Sequence, residues 1–174
     1  KGESDSTIVI RSTGNGPVIS DIHPLYKKSK HVVSFSWTGH WITNEMDAWI
    51  SLTTMENWKD FTSAVKKFGV PGQNIVYADV DGNIGWRPAV YIPIREEGYS
   101  MLPRPGHKKS SKWKGRVPFE EMPFLYNPTS GYISTANNRT IDKNFMYYIS
   151  GLWADPSRSD VIKMHLDTIK DATV

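Results

Sequence analysis

Two neighbouring asparagines, Asn137 and Asn138, are the side chains in this sequence whose position best suits chemistry. They directly follow residues 131–136, a β-branched and aromatic run (GYISTA) that predicts a strand. A side-chain amide fixed at the end of a strand can donate N–H groups to a negatively charged oxygen without itself carrying charge, as an oxyanion donor does. An Asn at this place is more often a turn former, so the residues alone leave both interpretations open.

Other kinds of site have no signature in the sequence. There is no GxSxG, P-loop or GxGxxG motif, and the absence of cysteine excludes thiol catalysis, disulfides and Cys-based zinc sites within the chain. Asn138-Arg139-Thr140 matches an N-glycosylation sequon, a match short enough to arise by chance. The histidines show no HExxH or comparable metal-ligand spacing. They are His23, His31, His40, His107 and His165.

The amino-terminal part of the chain predicts strands. Residues 7–11 form a short β-branched run that ends at the turn signal Gly14-Asn15-Gly16-Pro17, and residues 18–20 suit a returning strand. Residues 31–37 alternate, with Val33, Phe35 and Trp37 on one face. This period of two predicts a half-buried strand.

Three helices are predicted. The first covers residues 44–52, with Thr43 or Asn44 as its N-cap. The second starts from Thr54 as its cap and ends at Gly69 and Pro71. Its apolar side chains fall on one side and are expected to pack in the core: Trp58, Phe61, Val65 and Phe68. The third covers residues 161–174.

A hairpin is the clearest local prediction. Residues 74–80 and 83–86 read as two strands, and Asp81-Gly82 between them suits a type I′ turn. Residues 88–128, rich in Pro and Gly, predict a long ordered loop that wraps a scaffold. The order of elements predicts an α+β fold in which helices pack on a mostly antiparallel sheet.

Composition places the chain among globular proteins. Of its 174 residues, 39% are hydrophobic and 22% are charged. No apolar run approaches the roughly 20 residues that a membrane span requires. The polar start without Met and the uncapped last helix lead us to expect that residues 1–174 are one piece of a longer protein, cut at both ends.

A basic run lies in the predicted loop, and it has two interpretations. It could form a patch for nucleic acid or an anionic surface, or a solvated loop, and its short span favours the solvated loop. Its residues are Lys108, Lys109, Lys112, Lys114 and Arg116.

Four segments occur in a characteristic order and spacing. They are residues 74–85 (NIVYADVDGNIG), residues 113–120 (WKGRVPFE), residues 127–138 (NPTSGYISTANN) and residues 152–158 (LWADPSR). Together they resemble the penicillin acylase family of N-terminal-nucleophile hydrolases, and the resemblance runs over nearly the whole chain. It implies that the chain is an internal piece of the family's beta chain and part of an αββα sandwich.

The resemblance also implies a mechanism. In this family a linker is removed autocatalytically and exposes a Ser, which attacks an amide carbonyl with its own α-amino group as the base. An α-amine titrates near pH 8, so it can accept a proton without a histidine. Asn137 falls at the position of the side-chain oxyanion donor, and Arg158 at that of an Arg that orients the Asn and the amino terminus. Trp49 and Gln73 fall at positions of the acyl pocket, where the polarity of Gln73 argues against a phenylacetyl preference.

Some features depart from the family pattern. The chain starts at Lys1, so neither the nucleophilic Ser nor the backbone oxyanion donor is expected within it. Some members bind a structural calcium, but one carboxylate position falls at Tyr147, and no cofactor is predicted from this chain.

The resemblance sets the expected partners. They are a small N-acyl amide substrate and the remainder of the precursor, namely the alpha chain and the first part of the beta chain, with no nucleic acid and no membrane span. It favours a periplasmic or extracellular location. The alternative to an amidase is a non-catalytic module that binds acyl compounds on the same fold.

Overall fold

The computed structural model describes residues 5–96 and 101–170 and has a mixed α+β architecture, as predicted. Short 3-10 turns lie at Thr38–His40, Lys109–Ser111 and Phe119–Glu121. The helices and strands are, in chain order, β1 (Ser12–Thr13), β2 (Gly16–Pro17), α1 (Glu45–Thr53), α2 (Trp58–Val65), β3 (Gln73–Ala78), β4 (Ile84–Ala89), β5 (Leu125–Tyr126) and α3 (Ser157–Leu166).

The predicted hairpin is confirmed, and its turn type is corrected. Strands β3 and β4 pair antiparallel from Gln73 opposite Ala89 to Ala78 opposite Ile84. A type I′ turn needs positive φ at both central residues, but here Gly82 (φ 85°) has it and Asp81 does not. The Gly82 N–H donates to the Asp79 carbonyl at 3.2 Å. The turn is therefore a type I turn followed by a left-handed glycine.

The carboxylate of Asp79 fixes this turn. One oxygen accepts from the backbone N–H groups of Asp81 (3.0 Å) and Asn83 (2.8 Å). The other accepts from the Tyr77 hydroxyl (2.8 Å) and the Asn83 amide (2.9 Å). These donors, with Asn83 foremost, lower the pKa of Asp79. Burial, with the hydrogen bond to Asp79, raises the pKa of Tyr77 to about 12.

Asn127 joins the third strand to the hairpin. Strand β5 pairs antiparallel with β4, which gives the sheet order β3-β4-β5. Immediately after β5, the Asn127 side chain accepts from the Ile84 N–H at 2.9 Å and donates to the Asn83 side-chain oxygen at 2.8 Å. Its backbone has φ 47°, a left-handed conformation that Asn tolerates better than most residues.

Helices α1 and α2 each start at an asparagine N-cap. The Asn44 side chain accepts from the Asp47 N–H at 3.2 Å, which confirms the predicted start of α1. The Asn57 side chain accepts from the Asp60 N–H at 3.0 Å and caps α2. The prediction that Thr54 caps the second helix is wrong, because a better acceptor lies three residues further on.

The core lies between α1, α2 and the hairpin, as the apolar face of the second helix predicts. Trp58 stacks on Phe61 and its six-membered ring lies over β4. A Cβ at Gly85 would lie 2.2 Å from that ring, so the contact requires glycine. The buried cluster consists of Ala48, Phe61, Val65, Phe68, Tyr77 and Ala89.

The loop after β4 is tied to the sheet by a buried arginine. The guanidinium of Arg87 donates to the backbone carbonyls of Met122 and Phe119, both at 3.2 Å, and lies 4.0 Å from the centre of the Phe119 ring. Burial lowers the pKa of Arg87. The long wrapping loop predicted for residues 88–128 is therefore anchored at its second half, and it contributes β5 near its end.

Two members of the basic run have partners within the fold. Lys114 forms an ion pair with Glu96 at 3.2 Å, and the Arg116 guanidinium lies 4.1 Å from the centre of the Tyr91 ring. Because these two cations are engaged by the chain itself, the structure favours the interpretation of this run as a solvated loop.

The predicted amino-terminal strands are wrong in position. The observed pairing is a two-residue hairpin, with Ser12 opposite Pro17, and residues 7–11 lie before it with Ile8 and Val9 exposed. Residues 18–20 and 31–37 form no strand and share one isolated bridge, from Val18 to Ser34. A strand needs a partner along its length, and in the described chain neither run has one.

The prediction for the end of the chain is partly wrong. Residues 131–136 form no strand, and the last helix, α3, starts at Ser157 and ends at Leu166. Residues 171–174, which the predicted helix included, lie outside the described residues. None of the described helices has both the length and the apolar character needed to cross a membrane.

The carboxylate of Glu45 gives the fold a predictable pH dependence. It accepts from the backbone N–H groups of Gly69 (3.1 Å) and Val70 (3.0 Å). A hydrogen bond from the Thr43 side chain, followed by these backbone bonds, lowers the pKa of Glu45 from 4.5 to about 2. A carboxyl group with a lowered pKa in the folded state stabilises that state above its ordinary pKa and loses the effect as it becomes protonated.

We therefore expect the hydrogen-exchange protection of the Gly69 and Val70 amides to be full above about pH 4.5 and to fall towards about pH 2. In the Glu45→Gln variant, which has no charge to lose, protection in this window should not change with pH. Exchange rates corrected for the intrinsic pH dependence provide the measurement. Equal pH dependence in both proteins would contradict the assignment.

Candidate functional site

Asn137 lies in an irregular turn, not at the end of a strand as predicted. Its backbone has φ 60°, in the left-handed region, and it directly follows the buried Ala136. Its carbonyl accepts from the Ala154 N–H at 3.0 Å. This bond joins the turn to the segment that leads into α3.

Arg158 reaches this turn from the first turn of α3. The start of that helix is fixed by Asp155, whose carboxylate accepts from the Ser157 N–H at 2.9 Å. Hydrogen bonds from the Ser157 side chain and backbone lower the pKa of Asp155. From this position the Arg158 guanidinium donates to the side-chain oxygen of Asn137 at 3.3 Å.

The contact determines which way the Asn137 amide faces. A guanidinium can only donate hydrogen bonds, so the atom of Asn137 that it contacts must be the carbonyl oxygen. The NH₂ group of Asn137 is then turned away from Arg158 and can donate to another acceptor. Both side chains are exposed, so a bound molecule could reach them.

A second contact holds the preceding segment along α3. The Tyr132 hydroxyl donates to the Asp167 carboxylate at 2.8 Å, and this bond raises the pKa of Tyr132. Tyr132 therefore bonds to the residue that directly follows α3, while Asn137, five residues later, bonds to Arg158 in the first turn of that helix. The segment therefore runs antiparallel to α3 and is fixed to it near both ends.

Asn138 makes local bonds on both sides of Asn137. Its side-chain oxygen accepts from the Ala136 N–H at 2.9 Å, and its NH₂ group donates to the Arg139 carbonyl at 3.3 Å. The residues alone did not distinguish Asn138 from Asn137 as a donor, and the family resemblance gave a role to Asn137 only. It gave no indication of Ala154 either, because the contribution of that residue is a backbone N–H, which every residue except proline has.

The two predicted pocket residues lie elsewhere, at the edge of the core cluster. Trp49 is 47% exposed and packs edge-on against Phe68, with ring centres 5.7 Å apart. Gln73 is the first residue of β3 and lies opposite the buried Ala89, so both side chains point to the same side of the sheet. No hydrogen bond or ring contact among the described residues joins Trp49 or Gln73 to Asn137.

An open groove lies beside Arg158. It has a volume of about 420 Å³ and is lined by Ser157, Arg158, Val161 and Ile162. Because α3 alone supplies these residues, the groove is an open depression on the helix surface and not an enclosed pocket.

The position at which the family resemblance places a calcium ligand carries a different interaction. The Tyr147 hydroxyl donates to the Glu121 carboxylate, which raises the pKa of Tyr147. Within residues 5–96 and 101–170, no three His, Cys, Asp or Glu side chains come together in a group that could hold a metal ion.

Comparisons with known proteins identify the family to which the chain is similar. The model of the penicillin amidase family matches residues 1–174. Penicillin G acylase from Escherichia coli is 38% identical over 140 residues, which cover 79% of this chain and 16% of that protein. Acyl-homoserine lactone acylase QuiP from Pseudomonas aeruginosa is 26% identical over 170 residues, which cover 93% of this chain and 20% of that protein.

A solved structure is also similar. Thermostable penicillin G acylase from Alcaligenes faecalis matches with a TM-score of 0.66 and 27% sequence identity, over 87% of this chain and 27% of that chain. The chain thus spans a fifth or less of the length of the two curated relatives, at 16% and 20%.

The left-handed backbone at Asn137 predicts an unusual order of substitution effects. We expect Asn137→Val to be less stable than Asn137→Gly by about 1–2 kcal/mol, because a β-branched side chain clashes with the backbone at positive φ and glycine has no side chain to clash. The shift in thermal unfolding midpoint measures this difference.

The matched control is Asn144, which is exposed and does not have positive φ. There, Val should be at least as stable as Gly. Equal stability of the Val and Gly variants at position 137 would contradict the left-handed assignment.

Proposed function

The chain belongs to the penicillin amidase family, and we propose that it is part of an amidase that hydrolyses the amide bond of N-acyl compounds, to which it supplies the side-chain oxyanion donor. The observation that carries the proposal is the hydrogen bond from Arg158 to the side-chain oxygen of Asn137. It leaves the NH₂ group of an exposed, uncharged side chain oriented and without competition from the arginine.

The proposed reaction follows the family mechanism. The Ser at a new amino terminus attacks the substrate carbonyl carbon, and its α-amino group takes the hydroxyl proton. The carbonyl oxygen becomes an oxyanion, which accepts from the Asn137 NH₂ group and from a backbone N–H. The α-ammonium group gives its proton to the leaving nitrogen, the C–N bond breaks, and the intermediate collapses to a seryl ester with release of the amine. Water, deprotonated by the same amino group, then hydrolyses the ester to the free acid, and the proton returns to the Ser oxygen. The Ser and the backbone donor belong to another part of the precursor.

Arg158 has two effects in this proposal. It holds the Asn137 amide in one of its two orientations, so that no energy is spent on turning the donor when the oxyanion forms. Its positive charge also withdraws electron density from the amide oxygen and makes the N–H groups better donors, since hydrogen bonds in a chain polarise one another.

We further propose that Trp49 and Gln73 border the acyl pocket. They lie at the edge of the same buried cluster, through Phe68 and Ala89 respectively. A polar residue at position 73 would be left unpaired by a purely apolar acyl group, so this pocket should disfavour phenylacetyl compared with acyl groups that carry a hydrogen-bonding atom.

The proposed partners are a small N-acyl amide and the remainder of the precursor. Trp49 and Ile50 of α1, at 47% and 61% exposure, and Val161 of α3, at 52%, are apolar side chains that further parts of the precursor would cover.

The proposal is tested by Asn137→Gly in the full-length protein. Glycine keeps the left-handed backbone, so the substitution removes the amide alone. We expect kcat to fall by about 10²–10³ while KM changes little, because the oxyanion exists only in the transition state and the tetrahedral intermediate. Turnover of a panel of chromogenic N-acyl amides, per processed molecule counted by intact mass, gives the measurement.

Asn127→Gly is the matched control. Asn127 also has positive φ, but its side chain bonds within the hairpin. It should lower stability and leave kcat per folded molecule nearly unchanged. A wild-type kcat in Asn137→Gly would rule out the donor role. A precursor that is never processed and turns over no substrate would instead support a binding module for acyl compounds.

The chain on its own should be inactive. If the nucleophile and its amino-group base lie elsewhere in the precursor, as we propose, the purified 174-residue chain should hydrolyse a chromogenic phenylacetyl or other N-acyl amide no faster than buffer. Turnover above that background, retained after further purification, would show that this chain contains a nucleophile of its own.

A further inference from the structure

We propose that Asn138 is a positioning residue for the reaction, and that it acts by holding Asn137 in the geometry of an oxyanion donor. The inference rests on the function proposed for Asn137. Asn138 is not assigned any contact with the substrate, and its effect is expected to pass entirely through its neighbour.

The side chain of Asn138 bridges the turn that contains Asn137. Its oxygen accepts from the N–H of Ala136, the residue before Asn137, at 2.9 Å. Its NH₂ group donates to the carbonyl of Arg139, on the other side of the turn, at 3.3 Å. One amide thus binds a backbone N–H one residue before Asn137 and a backbone carbonyl two residues after it.

The bond to Ala136 gives an acceptor to a backbone N–H that has no partner in a sheet. Ala136 is 4% exposed, and residues 131–136 form no strand that could accept its N–H. A buried backbone N–H without a partner is costly, so this bond determines the orientation of the peptide group at Ala136. That peptide group lies one residue before Asn137, so the bond fixes the backbone that leads into Asn137.

Asn137 is then held at three points. Asn138 fixes the chain before it, the Ala154 N–H fixes its carbonyl, and the Arg158 guanidinium fixes its side-chain oxygen. The left-handed φ of 60° at Asn137 is a conformation that the backbone would leave if these constraints were weaker. A displacement of about 1 Å in a catalytic group can cost about 10² in rate.

The residue type suits this role. An amide offers an acceptor and a donor together, so Asn can satisfy Ala136 and Arg139 with one short side chain. An aspartate keeps the acceptor for the Ala136 N–H and loses the donor to Arg139. A leucine, which is similar in size, loses both the acceptor and the donor. The Asp and Leu substitutions therefore remove one and two of the hydrogen bonds, respectively.

The test is a double-mutant cycle in the full-length enzyme, with a chromogenic N-acyl nitroanilide as substrate. We expect Asn138→Leu to lower kcat about tenfold or more with KM changed less than about twofold, and Asn138→Asp to lower kcat by a smaller factor. In the Asn137→Gly background, Asn138→Leu should cause no further loss, because the group that it positions is already absent.

A purely structural role gives a different result. If Asn138 only stabilised the fold, the factor by which its substitution lowers kcat would multiply with the factor for Asn137→Gly. KM or the fraction of active molecules would then change as well. Equal factors in the two backgrounds, or an unchanged kcat in Asn138→Leu, would overturn the inference. Asn138→Ala carries the same expectation with less steric demand, so a misfolded leucine variant does not block the test.

The two proposals fail in distinguishable ways. An Asn137→Gly enzyme with wild-type kcat would overturn the proposed function and this inference with it. An Asn137→Gly enzyme that is impaired, combined with multiplying losses at Asn138, would overturn the inference alone.

Discussion

The hydrogen bonds centred on the Asp79 carboxylate are the constraint on which the rest of the fold depends. Four donors meet at that carboxylate, and Asn83, which supplies two of them, also accepts from Asn127. The turn of the hairpin and the end of the third strand are thus one network. The network sets the register of β4, and with it the position of Gly85, the gap in which Trp58 packs. Helix α2 therefore packs on a sheet whose register is set by polar contacts at the turn.

Features with a local cause could be predicted from the sequence, and those with a distant cause could not. The helix cap at Asn44 and the β3–β4 hairpin depend on residues within a few positions of one another. The predicted strands at residues 31–37 and 131–136 have suitable residues but no continuous partner within the described chain. Alternation of apolar and polar residues indicates that one face of a segment is apolar, but it does not indicate that a neighbouring strand is present. Phe35 and Trp37 do share a face, and they stack on each other instead of forming part of a sheet.

The same distinction explains the candidate site. Asn137 could be singled out as an uncharged donor from the sequence, with the turn former as its alternative. The two interpretations prove compatible, because the residue has the left-handed backbone of a turn former and its side chain is also held by Arg158. The pairing of these two residues, 21 positions apart, came from the family resemblance and not from any spacing rule. The Ala154 N–H that holds the Asn137 carbonyl has no signature of either kind.

The irregular backbone around Asn137 changes what must make the donor rigid. A residue at the end of a strand would inherit its orientation from the ladder of a sheet, but residues 131–136 have no ladder. Rigidity has to come from discrete contacts with Ala154, Arg158 and Asp167, and from the local amide of Asn138. Each contact consists of one or two hydrogen bonds, and a hydrogen bond contributes about 0.5–1.5 kcal/mol, or about 1.5–3 kcal/mol where one group is charged. No one of these contacts can hold the turn alone, so the position of Asn137 must depend on all of them together. The loss of any one contact should therefore displace Asn137 before it measurably lowers the stability of the fold.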